Sequence, residues 1–104
     1  MANFDDYVID VLMRDLVGHD RKPAAFLVYL WLAAEQVRTG QAVCVSYQEL
    51  AETVGLSRSS AQAAVGWLRG RKLLTAKRQT VTATPVYTVL APWREAAQRL
   101  KSKR

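Results

Sequence analysis

Apolar side chains recur at intervals of three and four residues near the start of the chain, which is the spacing of one face of an α-helix. This face comprises Phe4, Val8, Val11, Leu12 and Leu16. The spacing predicts a first helix over residues 4–17, with Gly18 at its end. A short polar loop that contains His19 follows.

A longer apolar segment begins at Pro23, and proline suits the first helical turn because its missing N–H needs no partner there. The segment is apolar on nearly every side as far as Arg38, which predicts a central helix covered by several neighbours. Gly40 ends it. The following run AVCV predicts a short edge strand with Cys44 as a small buried residue.

Residues 46–70, SYQELAETVGLSRSSAQAAVGWLRG, contain two short amphipathic helices. Ser46 and Glu49 have the spacing of a capping box at the start of the first helix. Gly55 ends that helix, and Ser57 caps the second. The second helix is predicted to bury a stripe of small and branched residues: Ala61, Ala64, Val65 and Leu68.

Two runs rich in threonine and valine, within residues 73–90, alternate in polarity and predict a β-hairpin. Trp67 is expected to pack on this hairpin or on a last helix, which begins at Pro92 and covers residues 92–101. No linker divides the chain. We therefore expect residues 1–104 to form one domain, mostly α with a small β-hairpin, an α+β fold.

The chain carries a net charge of +6, and half of its residues are hydrophobic. The charge favours polyanionic partners, nucleic acid first and anionic membranes second. The longest apolar run is shorter than the ~20 residues that a transmembrane helix needs. The amino end lacks the pattern of a signal peptide. We therefore expect no membrane association and a cytoplasmic, nucleoid-associated protein.

Candidate catalytic chemistry is sparse. Cys44 is the one cysteine, which excludes an internal disulfide and a thiolate metal cluster. His19 is the one histidine and has no evident partner for a triad or a metal site. No glycine-rich loop could hold a phosphate cofactor. The sequence thus predicts no catalytic residue, metal, cofactor or small-molecule ligand, and not an enzyme.

The segment SYQELAETVGLSRSSAQAAVGWL resembles the winged helix-turn-helix domains of bacterial regulators and of plasmid or phage replication proteins. The small Ala51, the turn glycine Gly55 and the cap Ser57 carry the resemblance, which covers residues 43–90. Two positions depart from the family pattern. Ala61 occupies a position where a larger apolar residue is usual, and Lys72 occupies one where glycine is usual.

The resemblance implies that the second helix of this motif enters the major groove of double-stranded DNA, where the amino-terminal residues of such a helix contact base edges. The predicted base-reading residues are Arg58, Ser59, Gln62 and Ala63. The predicted contacts to the DNA backbone are Ser46, Tyr47, Ser57, Ser60, Arg69, Arg71 and Lys72. The predicted wing contacts are Lys77, Arg78, Gln79, Thr80 and Thr82.

The predicted function is sequence-specific DNA binding by a small transcriptional regulator. A replication or partition accessory protein of a plasmid or phage, and a winged domain used for protein–protein docking, remain alternatives. A homodimer would double the footprint on a palindromic site. Its predicted contacts lie on the first and last helices: Phe4, Tyr7, Val8 and Val11, with Trp93, Ala97 and Leu100.

Overall fold

The computed structural model describes residues 6–91 of the chain. An amino-terminal helix over residues 6–19 includes two segments of π-helix, Val8–Leu12 and Arg14–His19. Three further helices and three strands follow: α1 (Pro23–Thr39), β1 (Val43–Cys44), α2 (Tyr47–Val54), α3 (Arg58–Gly70), β2 (Leu74–Lys77) and β3 (Val86–Val89). The predictions for Phe4 and for the last helix, with Trp93, Ala97 and Leu100, lie outside the described residues.

The amino-terminal helix is wider than the predicted α-helix. The backbone N–H of Met13 donates to the carbonyl of Val8, five residues earlier, as in a π-helix. Its buried residues repeat every fourth position, at Val8, Leu12 and Leu16. The prediction that Val11 shares this face is wrong. Val11 lies beside the narrow stripe that meets the core and is 42% exposed.

The end of this helix also differs from the prediction. The helix continues through Gly18 to His19, and the Asp20 N–H donates to the Asp15 carbonyl at 2.8 Å. Arg21, with a φ of 56°, takes a left-handed conformation at the turn that follows the helix. The chain therefore turns three residues later than expected.

Helix α1 is the central element, as predicted. It begins at Pro23, ends before Gly40, whose φ is 72°, and contacts the amino-terminal helix, α2, α3, β1 and β3. Polar side chains from both halves of α1 join it to the end of β3. The Tyr29 hydroxyl donates to the Leu90 carbonyl at 2.9 Å, and Gln36 bonds both backbone groups of Val89.

Helices α2 and α3 form two arms of a tight turn. The Glu49 N–H donates to Ser46 Oγ at 3.1 Å, so the predicted cap is confirmed. Gly55 has a φ of 87°, and its N–H and that of Leu56 both donate to the carbonyl of Ala51. This geometry ends α2 at Gly55, and α3 begins three residues later, at Arg58.

The predicted stripe on α3 is confirmed, because its four residues are at most 4% exposed: Ala61, Ala64, Val65 and Leu68. Lys72 follows the helix with a φ of 61°. It occupies the left-handed position where the resembling family usually has glycine. The helix therefore ends at Gly70, as predicted, although a lysine makes the turn.

The three strands form one antiparallel sheet in the order β1-β3-β2. The hairpin pairs Leu74 with Val89 and Ala76 with Tyr87, and it directs Tyr87 into the core at 0% exposure. Strand β1 is the predicted edge strand. The prediction that Cys44 is buried is wrong, because alternation along β1 turns Val43 inward and Cys44 to the surface.

Candidate nucleic-acid interface

The outer surface of α3 is a row of polar and small side chains. Because the buried stripe fixes the rotation of this helix, the opposite face is set by the same spacing. The exposed residues on it are Arg58, Ser59, Gln62, Ala63, Gly66 and Arg69. A helix with small residues between polar ones can approach another surface closely.

Hydroxyl groups surround the amino end of α3. Ser57 Oγ accepts the Ser60 N–H at 3.1 Å and lies 2.9 Å from Ser60 Oγ and 3.3 Å from Ser59 Oγ. The bond to the Ser60 N–H satisfies one of the backbone donors that the start of a helix leaves without a partner. Arg58 extends from the same turn without a carboxylate partner in the described chain.

The start of α2 lies beside the hairpin. The Ser46 hydroxyl both accepts the Glu49 N–H and donates to Glu49 Oε1 at 3.1 Å, so its hydrogen bonds serve the cap. Tyr47 is half-buried against the core. The Arg78 guanidinium lies over its ring, 5.8 Å from the ring centre, which is within cation–π range.

The loop between β2 and β3 is the tip of the hairpin. Arg78 Nη1 donates to the Val81 carbonyl at 3.3 Å, and Val81 itself is 90% exposed. The predicted wing residues are all exposed: Lys77, Arg78, Gln79, Thr80 and Thr82. The tip therefore offers cations and hydroxyls to solvent.

The carboxyl end of α3 differs from the amino end because two acidic residues contact it. Arg71 pairs with the carboxylates of Asp15 and Asp20, the second at 3.4 Å. Trp67 Nε1 donates to Asp20 Oδ2 at 2.9 Å, and Lys22 Nζ lies 4.9 Å from the centre of the indole. We call these residues, Asp15, Asp20, Lys22, Trp67 and Arg71, the acidic anchor.

The prediction that Trp67 packs on the hairpin or on the last helix stays a prediction, because the last helix lies outside the described residues. The polar contacts of Trp67 lie on the segment before α1. That segment turns at Arg21 and so brings Asp20 to α3. His19, predicted to have no partner, has its Nδ1 3.1 Å from Asp20 Oδ1.

The Trp67 N–H holds the pKa of the Asp20 carboxyl below its ordinary 3.8, against burial, which raises it; His19 and Arg71 lower it further. Asp15, His19 and Asp20 also place possible metal-ligand atoms within 4.8 Å of one another. Both carboxylates, however, are already bonded to Arg71, which can fill the role of the cation.

The other basic residues around α3 have no such partner. Within residues 6–91, no ion pair involves Arg58, Arg69, Lys72, Lys77 or Arg78. Their positive charges are therefore not neutralised by a carboxylate and face solvent around α3 and the hairpin. The sequence indicated these residues but could not separate them from Arg71.

Tyr87 is a residue that the sequence analysis did not select. Its side chain is fully buried, and its hydroxyl is the one buried side-chain polar atom in the described chain that lacks a hydrogen-bond partner. Burial raises its pKa, as does the nearby Tyr47 hydroxyl, while Arg78 and Arg69 lower it. In the sequence, the only indication of its role was the place of Tyr87 in the alternating pattern of β3.

Among the described residues, no helix is both long and apolar enough to cross a membrane.

A family model for a helix-turn-helix domain matches residues 22–74, just over half of the chain, from the residue before α1 to the start of β2. No curated protein and no solved structure shows significant similarity to the chain. With α2 and α3 joined at Gly55 and a three-stranded antiparallel sheet behind them, this chain belongs to the helix-turn-helix domain family in its winged α+β form.

Proposed function

We propose that this protein binds double-stranded DNA in a sequence-specific manner and acts as a small transcriptional regulator. One observation carries the proposal: α3 is anchored by its buried stripe while its outer face and the adjoining hairpin present cations without carboxylate partners. A helix of this kind fits the major groove. Membership of the helix-turn-helix family supports the same partner.

The base-reading surface is the amino-terminal half of α3. Arg58 and Gln62 are four residues apart and therefore share a face of the helix. Arginine donates a bidentate pair to guanine, and glutamine bonds adenine in a similar way. Ser59 and Ala63 adjoin them. A Cβ added at Gly66 would meet nothing within 4 Å, so the free fold does not require glycine there, and close approach to DNA would explain it.

Contacts to phosphates surround this surface in the proposal. Arg69 and Lys72 lie at the far end of α3, and Lys77 and Arg78 lie at the hairpin. Hydroxyls and amides of the proposed backbone and wing contacts add neutral donors: Tyr47, Ser57, Ser60, Gln79, Thr80 and Thr82. Ser46 would donate to a phosphate only after releasing Glu49 Oε1. Arg71 is the weakest member of this set because the acidic anchor already holds it.

A homodimer is the proposed form on DNA. Several apolar side chains of the amino-terminal helix are about two-fifths exposed: Tyr7, Ile9, Val11, Met13 and Val17. Tyr7 and Val11 thus remain candidates for the dimer interface, whereas Val8 lies in the protomer's own core. Sedimentation equilibrium is expected to show a dimer at tens of micromolar. A monomer with and without duplex would contradict the dimer.

Two alternatives share the same fold. A plasmid or phage replication or partition accessory protein would use the same DNA surface, so the site does not separate it from a regulator. A docking domain would bind protein instead. The uncompensated cations on α3 and the hairpin favour DNA over the docking role.

The deciding experiment is selection from random duplexes at a fixed salt concentration. We expect one enriched sequence, bound at least ~10³-fold more tightly than scrambled DNA. Equal affinity for all duplexes would reduce the proposal to non-specific binding. No affinity for any duplex, with the fold intact, would favour the docking role.

A further inference from the structure

A hydroxyl without a partner lies beneath the proposed DNA surface. Tyr87 is 0% exposed, and no group among residues 6–91 satisfies its hydroxyl. A buried polar group of this kind is costly and uncommon in folded proteins. A phenylalanine would fill the same position without this cost, so the hydroxyl calls for an explanation.

Its surroundings connect three elements of the proposed interface. Tyr87 pairs with Ala76 across the hairpin, two residues before Arg78. Tyr47 is the first residue of α2, and Arg78 lies over its ring. Tyr47, Arg78 and Arg69 are all close enough to shift the pKa of the Tyr87 hydroxyl.

We propose that Tyr47, Arg69 and Arg78 form one binding site for a DNA phosphodiester at the base of the hairpin, and that Tyr87 is its positioning residue. In the complex, the Tyr87 hydroxyl donates to Tyr47 Oη, and the Tyr47 hydroxyl donates to a phosphate oxygen. The two arginines supply the positive charge. This inference rests on the proposed DNA binding and specifies one contact within it.

The chemistry favours a phosphodiester over an uncharged ligand. Neither Arg69 nor Arg78 has a carboxylate partner in the part of the chain that the structure describes, and hydrogen bonds to an anion are stronger than those between neutral groups. A chain of two hydroxyls ending on an anion is polarised in one direction, which strengthens each bond. Tyr47, bound to the phosphate, would then become the hydrogen-bond partner that the Tyr87 hydroxyl lacks in the free protein.

The test compares two buried tyrosines. Tyr87→Phe removes a hydroxyl without a partner, so we expect the melting temperature to stay the same or rise. DNA affinity should fall roughly 2- to 10-fold, the range for one hydrogen bond, and equally on preferred and scrambled duplexes. Tyr29→Phe is the matched control. It removes a bond to the Leu90 carbonyl, so it should lower the melting temperature and leave DNA affinity unchanged.

Two further readouts distinguish positioning from general damage. Tyr87→Phe should leave the salt dependence of binding unchanged, whereas Arg78→Gln should lower its slope by about one. The double variant Tyr47→Phe/Tyr87→Phe should bind no more weakly than Tyr47→Phe alone, because the two hydroxyls act in series.

Unchanged affinity in Tyr87→Phe would overturn the inference, as would additive losses in the double variant. Either result leaves the proposed DNA binding intact, provided that the unaltered protein binds duplex DNA. If the unaltered protein binds no duplex, the proposed function fails, and this inference fails with it.

Discussion

Arg69 and Arg71 lie two residues apart at the end of α3, yet their surroundings are opposite. Arg71 pairs with Asp15 and Asp20, which the amino-terminal helix and the turn after it bring to α3. Arg69 is exposed without a carboxylate partner in residues 6–91. The comparison shows that two identical cations, nearly adjacent in sequence, can differ completely: carboxylates of the same chain hold one, and the other stays exposed to solvent.

The physical reason is competition for the guanidinium. A phosphate must displace the carboxylates from Arg71, whereas at Arg69 it displaces only water. Counting basic residues in the sequence therefore overestimates the cationic surface available to DNA. The acidic anchor also connects α3 to the amino-terminal helix, so changes there are expected to reach the end of α3.

The largest expected effect on DNA binding comes from residues at the amino end of α3, which is the proposed base-reading surface. Arg58→Ala or Gln62→Ala should cost ~1–3 kcal/mol of binding on the preferred duplex and much less on scrambled DNA. Titration of both duplexes at one salt concentration measures this. Melting curves serve as the control, since Arg58 lies in the first turn. Equal losses on both duplexes would make Arg58 a backbone contact.

The direct test of the comparison is the pair Arg69→Gln and Arg71→Gln. Arg69→Gln should weaken binding to every duplex about 5- to 10-fold at 0.1 M salt and lower the salt slope by about one, as the loss of one phosphate contact does. Arg71→Gln should change binding less and lower the melting temperature more. The reverse pattern would show that the carboxylates release Arg71 to DNA.

A smaller effect is expected from removing the charge of the acidic anchor. Asp20→Asn weakens the bonds from Trp67 and Arg71 and should lower the free energy of unfolding by about 1 kcal/mol, a value reduced for the exposure of Arg71. Chemical denaturation measures the loss. Binding to any duplex should become slightly tighter, because Arg71 then keeps only Asp15 as a carboxylate partner. Glu52→Gln, an exposed carboxylate on α2, is the matched control.

The acidic anchor also predicts the sign of a pH effect. The pKa of Asp20 is lowered in the folded protein. The ionised carboxylate therefore stabilises the fold fully above the unfolded pKa near 3.9, and this stabilisation is lost as the pH falls through the folded pKa. Unaltered protein should therefore lose stability below about pH 4. Asp20→Asn should lose less over the same interval, and parallel curves would contradict this role.

The smallest expected effect concerns Gly66. Gly66→Ala should raise the free energy of unfolding by roughly 0.5–1 kcal/mol, because alanine favours the helix interior and its Cβ meets nothing within 4 Å. If α3 enters the major groove, DNA affinity should nevertheless fall. Gly70→Ala, at the last residue of α3, is the control and should leave affinity unchanged. Unchanged affinity in Gly66→Ala would place this face outside the groove.

Much of the fold could be predicted because its signals are local. Pro23 and Gly40 bound α1, and the serine caps and Gly55 bound α2 and α3, since each acts on its own backbone. The exposed face of α3 followed from its buried stripe. The amino-terminal helix was less predictable, because its π-type hydrogen bonds and the turn at Arg21 have no signal in the residue types.

The partners of the polar side chains required the tertiary structure. Asp15 and Asp20 are more than forty residues from Arg71 and Trp67, so only packing of the amino-terminal helix beside α3 identifies the anchored arginine. Tyr87 likewise lies far along the chain from Tyr47. The sequence by itself determined the elements, the core stripe of α3 and the excess of positive charge, because those depend on neighbours along the backbone. The tertiary structure decided which charges remain available to a partner, because an ion pair forms wherever folding brings two groups within reach.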